Sequence, residues 1–568
     1  MGKTRKYFAA AGLSGLLLGL AYPGWGFDLG WLAWVGLVPM LLALRPGLPR
    51  PGLGNPRPGL GFGFKIGFIV GLVYFLIVFR WFWSAYPLDT IGIQGRVISL
   101  LGIGAIYLVS SAGMALFWGL FGLAFGVGVR CQMSGVRFKT WNLEPGIWNL
   151  FLLVPALFVL LEYLRSWGFG FLWAGSGSLF GPHWTLGNLA YALADNHLAL
   201  KLASSIGIYG ITFLIIFINI LLFLCLREKK RQQIGVAVII LIALISIPKL
   251  LRFNSDTPVK KINYAIIQTY QLTKLSPSPQ ETLASFTEQL KLLDKVAKKH
   301  PEGQLIVFPE ASDFFKNLSL FLTPTQVQDY FSKLFKEPHL IIAGSRIMDS
   351  TTGKAYSRVF SLDTKDDIIG YYDKRLVAPG GEFLPYTLKI LVSIFSKNAY
   401  SLFSQVRDLH PGQKEVSTVG FRYQFNVAPI ICSEVTSPSL IRKTTSNSDV
   451  IVSMASYGAF HGNRTIAEQM LALTRFRAAE NRKPVITAAN MGRSYVIDSY
   501  GNVSLLAQDA DARILTGSVD ITASKSWYNK AGDTPILLGS LVLGILGFRL
   551  QVSGYRGKIK SWFRRNRE

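Results

Sequence analysis

Charged residues are scarce in this chain of 568 residues: they make up 16% of it, whereas half of all residues are hydrophobic. Acidic residues are scarcer still, with 33 Asp and Glu against 59 Lys and Arg. A nucleic-acid-binding protein can be equally basic, but its Lys and Arg cluster on a folded domain. Here they flank long apolar runs, so the composition argues against a nucleic-acid partner and indicates a membrane protein with charged loops.

Cysteine and histidine are also few. The three cysteines, Cys131, Cys225 and Cys432, lie far apart and show no C-x-x-C spacing that would indicate zinc or a disulfide framework. The six histidines are scattered without metal-ligand spacing, and the G-x-S-x-G segment of serine hydrolases is absent from the sequence. We therefore predict no metal site and no cofactor, and at least one cysteine is free for other chemistry.

Eight apolar runs are candidates for membrane spans, which need about 20 residues each. They lie near residues 7–22, 29–46, 61–79, 99–128, 147–164, 202–226, 233–250 and 534–550. Lys and Arg concentrate in alternate loops, and such residues are retained on the cytoplasmic side. We therefore expect a multi-pass protein of the bacterial plasma membrane, with both termini in the cytoplasm.

Three regions follow from this pattern. We expect a membrane domain of about seven helices over residues 1–251, a domain outside the cytoplasm over 252–533, and a last span with a basic cytoplasmic tail over 534–568. The middle region alternates short apolar runs such as NVAPIICSE and DVIVSMAS with helical stretches such as ETLASFTEQLKLLDKVAKKH. Alternating strands and helices predict an α/β layered sandwich.

Reactive side chains stand at the ends of three predicted strands, where an α/β fold usually exposes its site. Glu310 ends VFPE, Lys374 and Glu382 lie in YYDKRLVAPGGEFLPY, and Cys432 lies in APIICSE. A sharp turn near a helix N-terminus is a position that favours the thiolate form of a cysteine. We interpret Glu310 as a base whose pKa is raised by burial and Lys374 as the cation that stabilises an oxyanion, with Glu382 holding the lysine or the leaving group.

The order of these residues resembles the Glu-Lys-Cys triad of the nitrilase superfamily. A fuller resemblance, over nearly the whole chain, is to the apolipoprotein N-acyltransferase family. The segment YYDKRLVAPGGEFLPY is similar to the family's Y-x-K-R-x-L-V-P-x-G-E-x-x-P, and Ile431, Cys432 and Glu434 match its I-C-x-E. A later stretch, RFRAAENRKPVITAANMGRSYVIDSYG, also resembles a family segment. Its matching positions include Arg477, Glu480, Asn490 and Gly492.

The resemblance implies a multi-span α-helical membrane bundle with a nitrilase-like α-β-β-α sandwich. It also implies an acyltransferase in which Cys432 takes a fatty acyl chain from a phospholipid as a thioester and passes it to the N-terminal amine of a diacylglyceryl-cysteine apolipoprotein. The catalytic residues implied are Glu310, Lys374 and Cys432, supported by Glu382 and Glu434. The expected partners are the phospholipid, the diacylated apolipoprotein and the lipid bilayer, and we expect a monomer.

Two departures from the family pattern concern the surroundings of the cysteine. Ser433 stands where the family usually has an aromatic residue, and the family's N-D-x-W-F-like segment reads SMASYGAF. Two other functions remain open: a membrane-tethered amidase or nitrilase-type hydrolase that uses the same triad, and a non-catalytic binding or transport protein. The apolar segment over residues 383–403 is interpreted either as an arm dipping into the membrane interface or as a buried core helix.

Overall fold

The computed structural model describes most of the chain. The described residues are 2–44, 60–88, 93–132, 145–227 and 257–547, apart from 94, 275–276, 302–303, 367, 396–400, 402–407, 414–418, 423 and 523–524, together with isolated positions in 235–246 and residue 549. Within them the helices are Gly2–Ala21, Val38–Ala43, Leu60–Val78, Arg96–Gln132, Pro145–Leu172, His197–Arg227, Pro279–Lys299, Phe314–Leu318, Pro324–Leu334, Tyr386–Phe395, Pro438–Thr444, Arg464–Asn481, Trp527–Ala531 and Thr534–Gly547.

Apolar helices make up the N-terminal part of the chain. Four helices of the described residues are long and apolar enough to cross a membrane: Gly61–Val78, Arg96–Gly126, Leu152–Leu172 and His197–Leu226. Each corresponds to one of the predicted spans. The first predicted span is also helical, and the last one is an apolar helix of fewer than 18 residues, Thr534–Gly547. The predicted span at 233–250 lies largely outside the described residues.

The span predicted at 29–46 is wrong as a single helix. A short 3-10 helix, Gly30–Trp34, is followed by a separate helix, Val38–Ala43. Pro39 explains the break, because a proline inside a helix lacks the N–H donor and clashes with the preceding turn. The side chain of Asn219 satisfies the interrupted backbone, accepting from Leu37 N at 2.9 Å and donating to Ala33 O at 2.8 Å.

Glycines allow two of these helices to pack in close contact. A Cβ atom at Gly67 would lie 2.1 Å from the carbonyl oxygen of Trp118, and one at Gly122 would lie 2.3 Å from that of Gly63. Small residues are enriched where membrane helices approach closely, because association there depends on van der Waals contact. Helices Leu60–Val78 and Arg96–Gln132 therefore form a tight pair in the bundle.

Two six-stranded sheets follow the bundle along the chain. The first has the strand order β12-β1-β2-β3-β4-β5 and the second β11-β10-β9-β8-β7-β6. The strands of the first sheet are β1 Lys260–Gln268, β2 Leu305–Val307, β3 Leu340–Met348, β4 Ala355–Asp363, β5 Ile368–Asp373 and β12 Arg513–Ile521. Those of the second are β6 Val419–Phe421, β7 Phe425–Ile431, β8 Val450–Ser456, β9 Val485–Asn490, β10 Tyr495–Ile497 and β11 Val503–Leu506. Strands β1, β2 and β3 run parallel, as do β7, β8 and β9.

Alternating side chains assemble the layers of the sandwich. In β1, Ile262 and Ile266 pack into the core between the sheets, whereas Ala265 and Ile267 pack against the outer helices that include Phe286. This division follows from the two-residue period of a strand. Helices Pro438–Thr444 and Arg464–Asn481 contribute to the layer on the outer face of the second sheet. The predicted α-β-β-α sandwich is thus confirmed.

Candidate active site

Glu310 stands three residues beyond the end of β2, at the carboxyl edge of the parallel strands. Its side chain is 8% exposed, and the next residue, Ala311, has a φ of 53°. A left-handed backbone is uncommon for residues other than glycine. The chain therefore turns sharply after Glu310, which places the carboxylate at the edge of the sheet rather than in its core.

Lys374 follows the last residue of β5 and is almost fully buried, at 1% exposure. Its Nζ donates to Oε1 of Glu310 and to Oε1 of Glu382, both at 2.9 Å. A buried ammonium group is tolerated only when it is paired and hydrogen bonded. The two carboxylates meet this requirement, and they fix the position of Nζ beside the cysteine.

Cys432 comes directly after β7 and begins a short 3-10 helix, Cys432–Thr436. Its φ of 43° is again left-handed, so the nucleophile candidate lies on a strained turn. Cys432 is partly exposed, and the carboxylate of Glu310 and the ammonium group of Lys374 lie close enough to shift the pKa of its thiol. The sequence-predicted residues Glu310, Lys374, Glu382 and Cys432 therefore form one cluster.

The charges of this cluster hold the cysteine as a thiol. Burial raises the pKa of Cys432, the carboxylates of Glu310 and Glu382 raise it further, and Lys374 only partly opposes them. Burial also raises the pKa of Glu310, with Lys374 acting in the opposite direction. For Lys374, burial disfavours the charge, but Glu310 and Glu382 outweigh it, so its pKa is raised and it remains a cation. The turn alone would favour the thiolate, but burial and the two carboxylates act in the opposite direction. The thiol must therefore transfer its proton before it attacks, and Glu310 is the neighbouring carboxylate.

Glu434 binds the chain segments on either side of Lys374 and Cys432. Its fully buried carboxylate accepts from the hydroxyl of Tyr372 at 2.6 Å, from Arg375 N at 2.8 Å and from Ile431 N at 2.7 Å. These donors flank Lys374 on one strand end and precede Cys432 on the other. One carboxylate therefore links the end of β5 to the end of β7, which belong to different sheets. Tyr372 was not identified from the sequence, although its position two residues before Lys374 places it on the same buried face of β5.

The loop that carries Glu382 is held in a similar way. Oε2 of Glu382 accepts from Ala378 N at 2.7 Å, while Oε1 accepts from Lys374. Ser433, at a position where the family pattern has an aromatic residue, donates from Oγ to the carbonyl oxygen of Leu376 at 2.5 Å. The serine thus ties the cysteine turn to the segment that follows Lys374.

A loop from the helical bundle contacts the cysteine turn. Thr185 donates from N to the carbonyl oxygen of Thr436 at 3.2 Å, and its hydroxyl donates to the same oxygen. Thr436 in turn donates from Oγ1 to His183 O at 2.9 Å. Burial and the nearby cation of Arg375 lower the pKa of His183 to about 4, so its imidazole is neutral. The 3-10 helix that begins with Cys432 is therefore bonded at its other end to the bundle.

The same loop is held on its bundle side by buried polar groups. Tyr22 accepts from Gly187 N at 2.8 Å, and Tyr74 donates to Gly187 O at 2.9 Å. Arg165 donates to Leu186 O at 2.9 Å while it forms a buried ion pair with Glu162. The buried pair of Glu162 and Arg165 therefore has a structural role in holding this loop.

The family segment around Arg477 joins the two parts of the chain. Arg477 donates to the hydroxyl of Tyr191 at 2.9 Å and pairs with Glu480 at 3.1 Å, and both charged side chains are fully buried. Oε1 of Glu480 accepts from Ile208 N at 3.1 Å, next to Gly207 at φ 62°. Arg477 and Glu480 therefore lie at the junction with the helical bundle and not among the reactive groups.

Comparisons with known proteins agree with this architecture. Residues 14–221 match the family described as the apolipoprotein N-acyltransferase N-terminal domain, and residues 265–529 match the carbon-nitrogen hydrolase family. The apolipoprotein N-acyltransferase of Shewanella oneidensis is 25% identical over 83% of this chain and 86% of its own. That of Geobacter metallireducens is 26% identical over 96% of each chain. The chain belongs to the apolipoprotein N-acyltransferase family.

Membership in this family confirms the prediction of a membrane-bound acyltransferase with a nitrilase-like domain. Among solved structures, Saccharomyces cerevisiae Nit3, a member of branch 10 of the nitrilase superfamily, is similar over 47% of this chain and 93% of its own, with 19% identity and a TM-score of 0.35.

Proposed function

We propose that this acyltransferase carries a fatty acyl chain from a phospholipid, through a thioester on Cys432, to the N-terminal amine of a diacylglyceryl-cysteine apolipoprotein. The observation that carries the proposal is the cluster in which Nζ of Lys374 lies 2.9 Å from Oε1 of Glu310, with the thiol of Cys432 close enough to both groups for them to shift its pKa. The names of the relatives support lipoprotein N-acylation.

In the first half-reaction, Glu310 accepts the proton of Cys432 as the sulfur attacks the ester carbonyl carbon of the phospholipid. Negative charge develops on the carbonyl oxygen, and the cation of Lys374 stabilises it. The C–O bond then breaks, and the lysophospholipid leaves as an alcohol with the proton from Glu310. The acyl chain remains on sulfur as a thioester.

In the second half-reaction, the amine of the apolipoprotein attacks the thioester carbonyl carbon. A C–N bond forms and the C–S bond breaks, while Glu310 takes the proton released by the amine and returns it to the sulfur. The products are an N-acylated lipoprotein and the Cys432 thiol. Glu382 keeps Lys374 in place through both steps, and Glu434 keeps the two strand ends together.

The arrangement of the chain in the membrane is part of the proposal. Both substrates are lipids or lipid-anchored, so we infer that the domain over residues 252–533 faces outward from the plasma membrane, between the helices over 1–251 and the last span and tail over 534–568. Helix Tyr386–Phe395 supports contact with the bilayer, since Tyr386 and Ile390 are 58% and 62% exposed. Amphipathic helices with exposed apolar side chains bind the membrane interface.

The test is a transfer assay with the purified full-length protein in vesicles that contain phosphatidylethanolamine and a synthetic diacylated lipopeptide. Wild type and Cys225→Ala are expected to produce triacylated lipopeptide, detected by mass spectrometry, whereas Cys432→Ala is not. Release of free fatty acid without lipopeptide acylation would instead show a hydrolase. Transfer by Cys432→Ala would overturn the proposal.

A further inference from the structure

Tyr457 lies beside the reactive cysteine although the mechanism above does not use it. It follows the last residue of β8, the parallel neighbour of β7, and Met454 pairs with Ile431 just before Cys432. Its backbone N donates to Asn490 O at 2.9 Å. Tyr457 belongs to SMASYGAF, the segment in which this chain departs from the family pattern.

The phenolic hydroxyl of Tyr457 has no hydrogen-bond partner among the residues that the structure describes. The side chain is only 2% exposed, so water does not compensate from the outer surface. Leaving a buried polar group without a partner destabilises the folded protein. Other buried side-chain atoms of the described residues are also unpaired, but this hydroxyl lies next to the reactive cysteine, where a bound substrate can supply the missing partner.

The ring of Tyr457 is held in place by its surroundings. A Cβ atom at Gly492 would lie 2.4 Å from Cδ2 and 2.7 Å from Cε2 of Tyr457, so the ring packs closely against the glycine. Ala455, Ile466 and Ala489 form an apolar cluster with it. The hydroxyl is thus fixed in position before any ligand binds.

This hydroxyl lies within electrostatic range of the reactive groups. Burial raises the pKa of Tyr457 well above its ordinary value, and the nearby Tyr495, Cys432 and Glu310 add to the effect. The phenol therefore stays protonated and is a donor at all working pH values. Tyr495 also interacts with Cys432, but its hydroxyl already shares a hydrogen bond of 3.0 Å with Thr474.

We propose that the hydroxyl of Tyr457 donates a hydrogen bond to the acyl oxygen of the lipid ester bound over Cys432, and so shares the oxyanion with Lys374. No covalent step is added, since the phenol keeps its proton while charge develops on the acyl oxygen. This role rests on the proposed function, because it requires a carbonyl substrate at the cysteine. It assigns the hydroxyl a partner that the free protein lacks among its described residues.

The test compares two reactions of Cys432 in full-length wild type and Tyr457→Phe. Acylation by phospholipid vesicles, followed by intact mass, is expected to slow on the order of 100-fold, as when one oxyanion donor is lost. Alkylation by iodoacetamide forms no oxyanion and is expected to keep its rate. The melting temperature is expected to stay the same or rise, because removing an unpaired buried hydroxyl does not break a bond.

Tyr495→Phe is the matched control, since it removes a paired phenol near the same cysteine. It is expected to lower the melting temperature while acylation slows far less than in Tyr457→Phe. Equal acylation rates in wild type and Tyr457→Phe would overturn the inference, as would a parallel fall in alkylation, acylation and melting temperature. If wild type itself forms no acyl adduct, the result contradicts the proposed function and not only the role of Tyr457.

Discussion

Lys374 donates to Glu310 across 64 residues of sequence, with Nζ 2.9 Å from Oε1. The contact places a permanent cation beside the carboxylate that receives the thiol proton. Glu382 lies on the other side of the same Nζ, also at 2.9 Å. Two carboxylates thus share one ammonium group, and the charge of Glu382 raises the pKa of Glu310.

The acid limb of the pH–rate profile, where activity is lost on acidification, should reflect the raised pKa of Glu310. Glu310 must be ionised to accept the thiol proton, and its pKa is raised by burial, so activity should fall with pH before an ordinary glutamate, at about 4.3, is protonated. Glu382 also raises the pKa of Glu310. Glu382→Gln should therefore move the limb to lower pH, even if the maximal rate drops.

The measurement is the rate of lipopeptide acylation from pH 4 to 8. Asp329→Asn, on the exposed helix Pro324–Leu334, is the control and should leave the limb unchanged. A limb that moves to higher pH in Glu382→Gln would contradict the assigned coupling.

Glu434→Gln should destabilise the protein and slow the reaction. The buried carboxylate accepts from three donors, whereas the amide offers only one acceptor atom, so at least one donor is left unpaired at a cost of about 1–3 kcal/mol. We expect a lower melting temperature and a lower kcat with little change in KM. Glu281→Gln, whose carboxylate accepts from Ser278 N in an exposed capping box, should cost much less because water replaces the contact.

The link between the bundle and the cysteine turn gives another prediction. Thr185→Val keeps the shape of the side chain but removes its hydroxyl from Thr436 O. Acylation should slow roughly tenfold, because the turn that carries Cys432 shifts slightly. A full 1 Å misplacement of a reacting group costs about 100-fold. The control is Thr282→Val, which loses a hydroxyl bond to Ser278 O far from the site and should keep the wild-type rate. A normal rate in Thr185→Val would show that the turn is held by other contacts.

Folding stability should depend on pH through His183. Its folded-state pKa, about 4, lies below the unfolded value of 6.5, so the unfolded chain binds more protons between them. The contribution of the neutral ring is complete above pH 6.5 and is lost as the pH falls toward 4. His183→Asn does not titrate there, so its melting temperature should fall less than that of wild type across this window. Equal falls in the two proteins would contradict the assignment.

The sequence predicted the strand-end positions of Glu310, Lys374 and Cys432 because reactive side chains after short apolar runs have few other places to lie in a layered fold. It did not predict the break at Pro39, since a long apolar run was counted without weighing the proline inside it. Nor did it predict the bonds from Tyr372 to Glu434 or from Thr185 to Thr436. Such contacts join residues 62 and 251 positions apart, and only the packed structure brings them together.

The thioester on Cys432 is the central claim, and intact mass spectrometry tests it most directly. Wild type, Cys432→Ala and Glu310→Gln are incubated with phospholipid vesicles before any acceptor is added. Wild type should gain the mass of one acyl chain, removable by hydroxylamine, while both variants stay unchanged and remain folded in the membrane. The account is contradicted if Cys432→Ala gains the same hydroxylamine-sensitive adduct, or if wild type transfers acyl chains to lipopeptide without ever showing it.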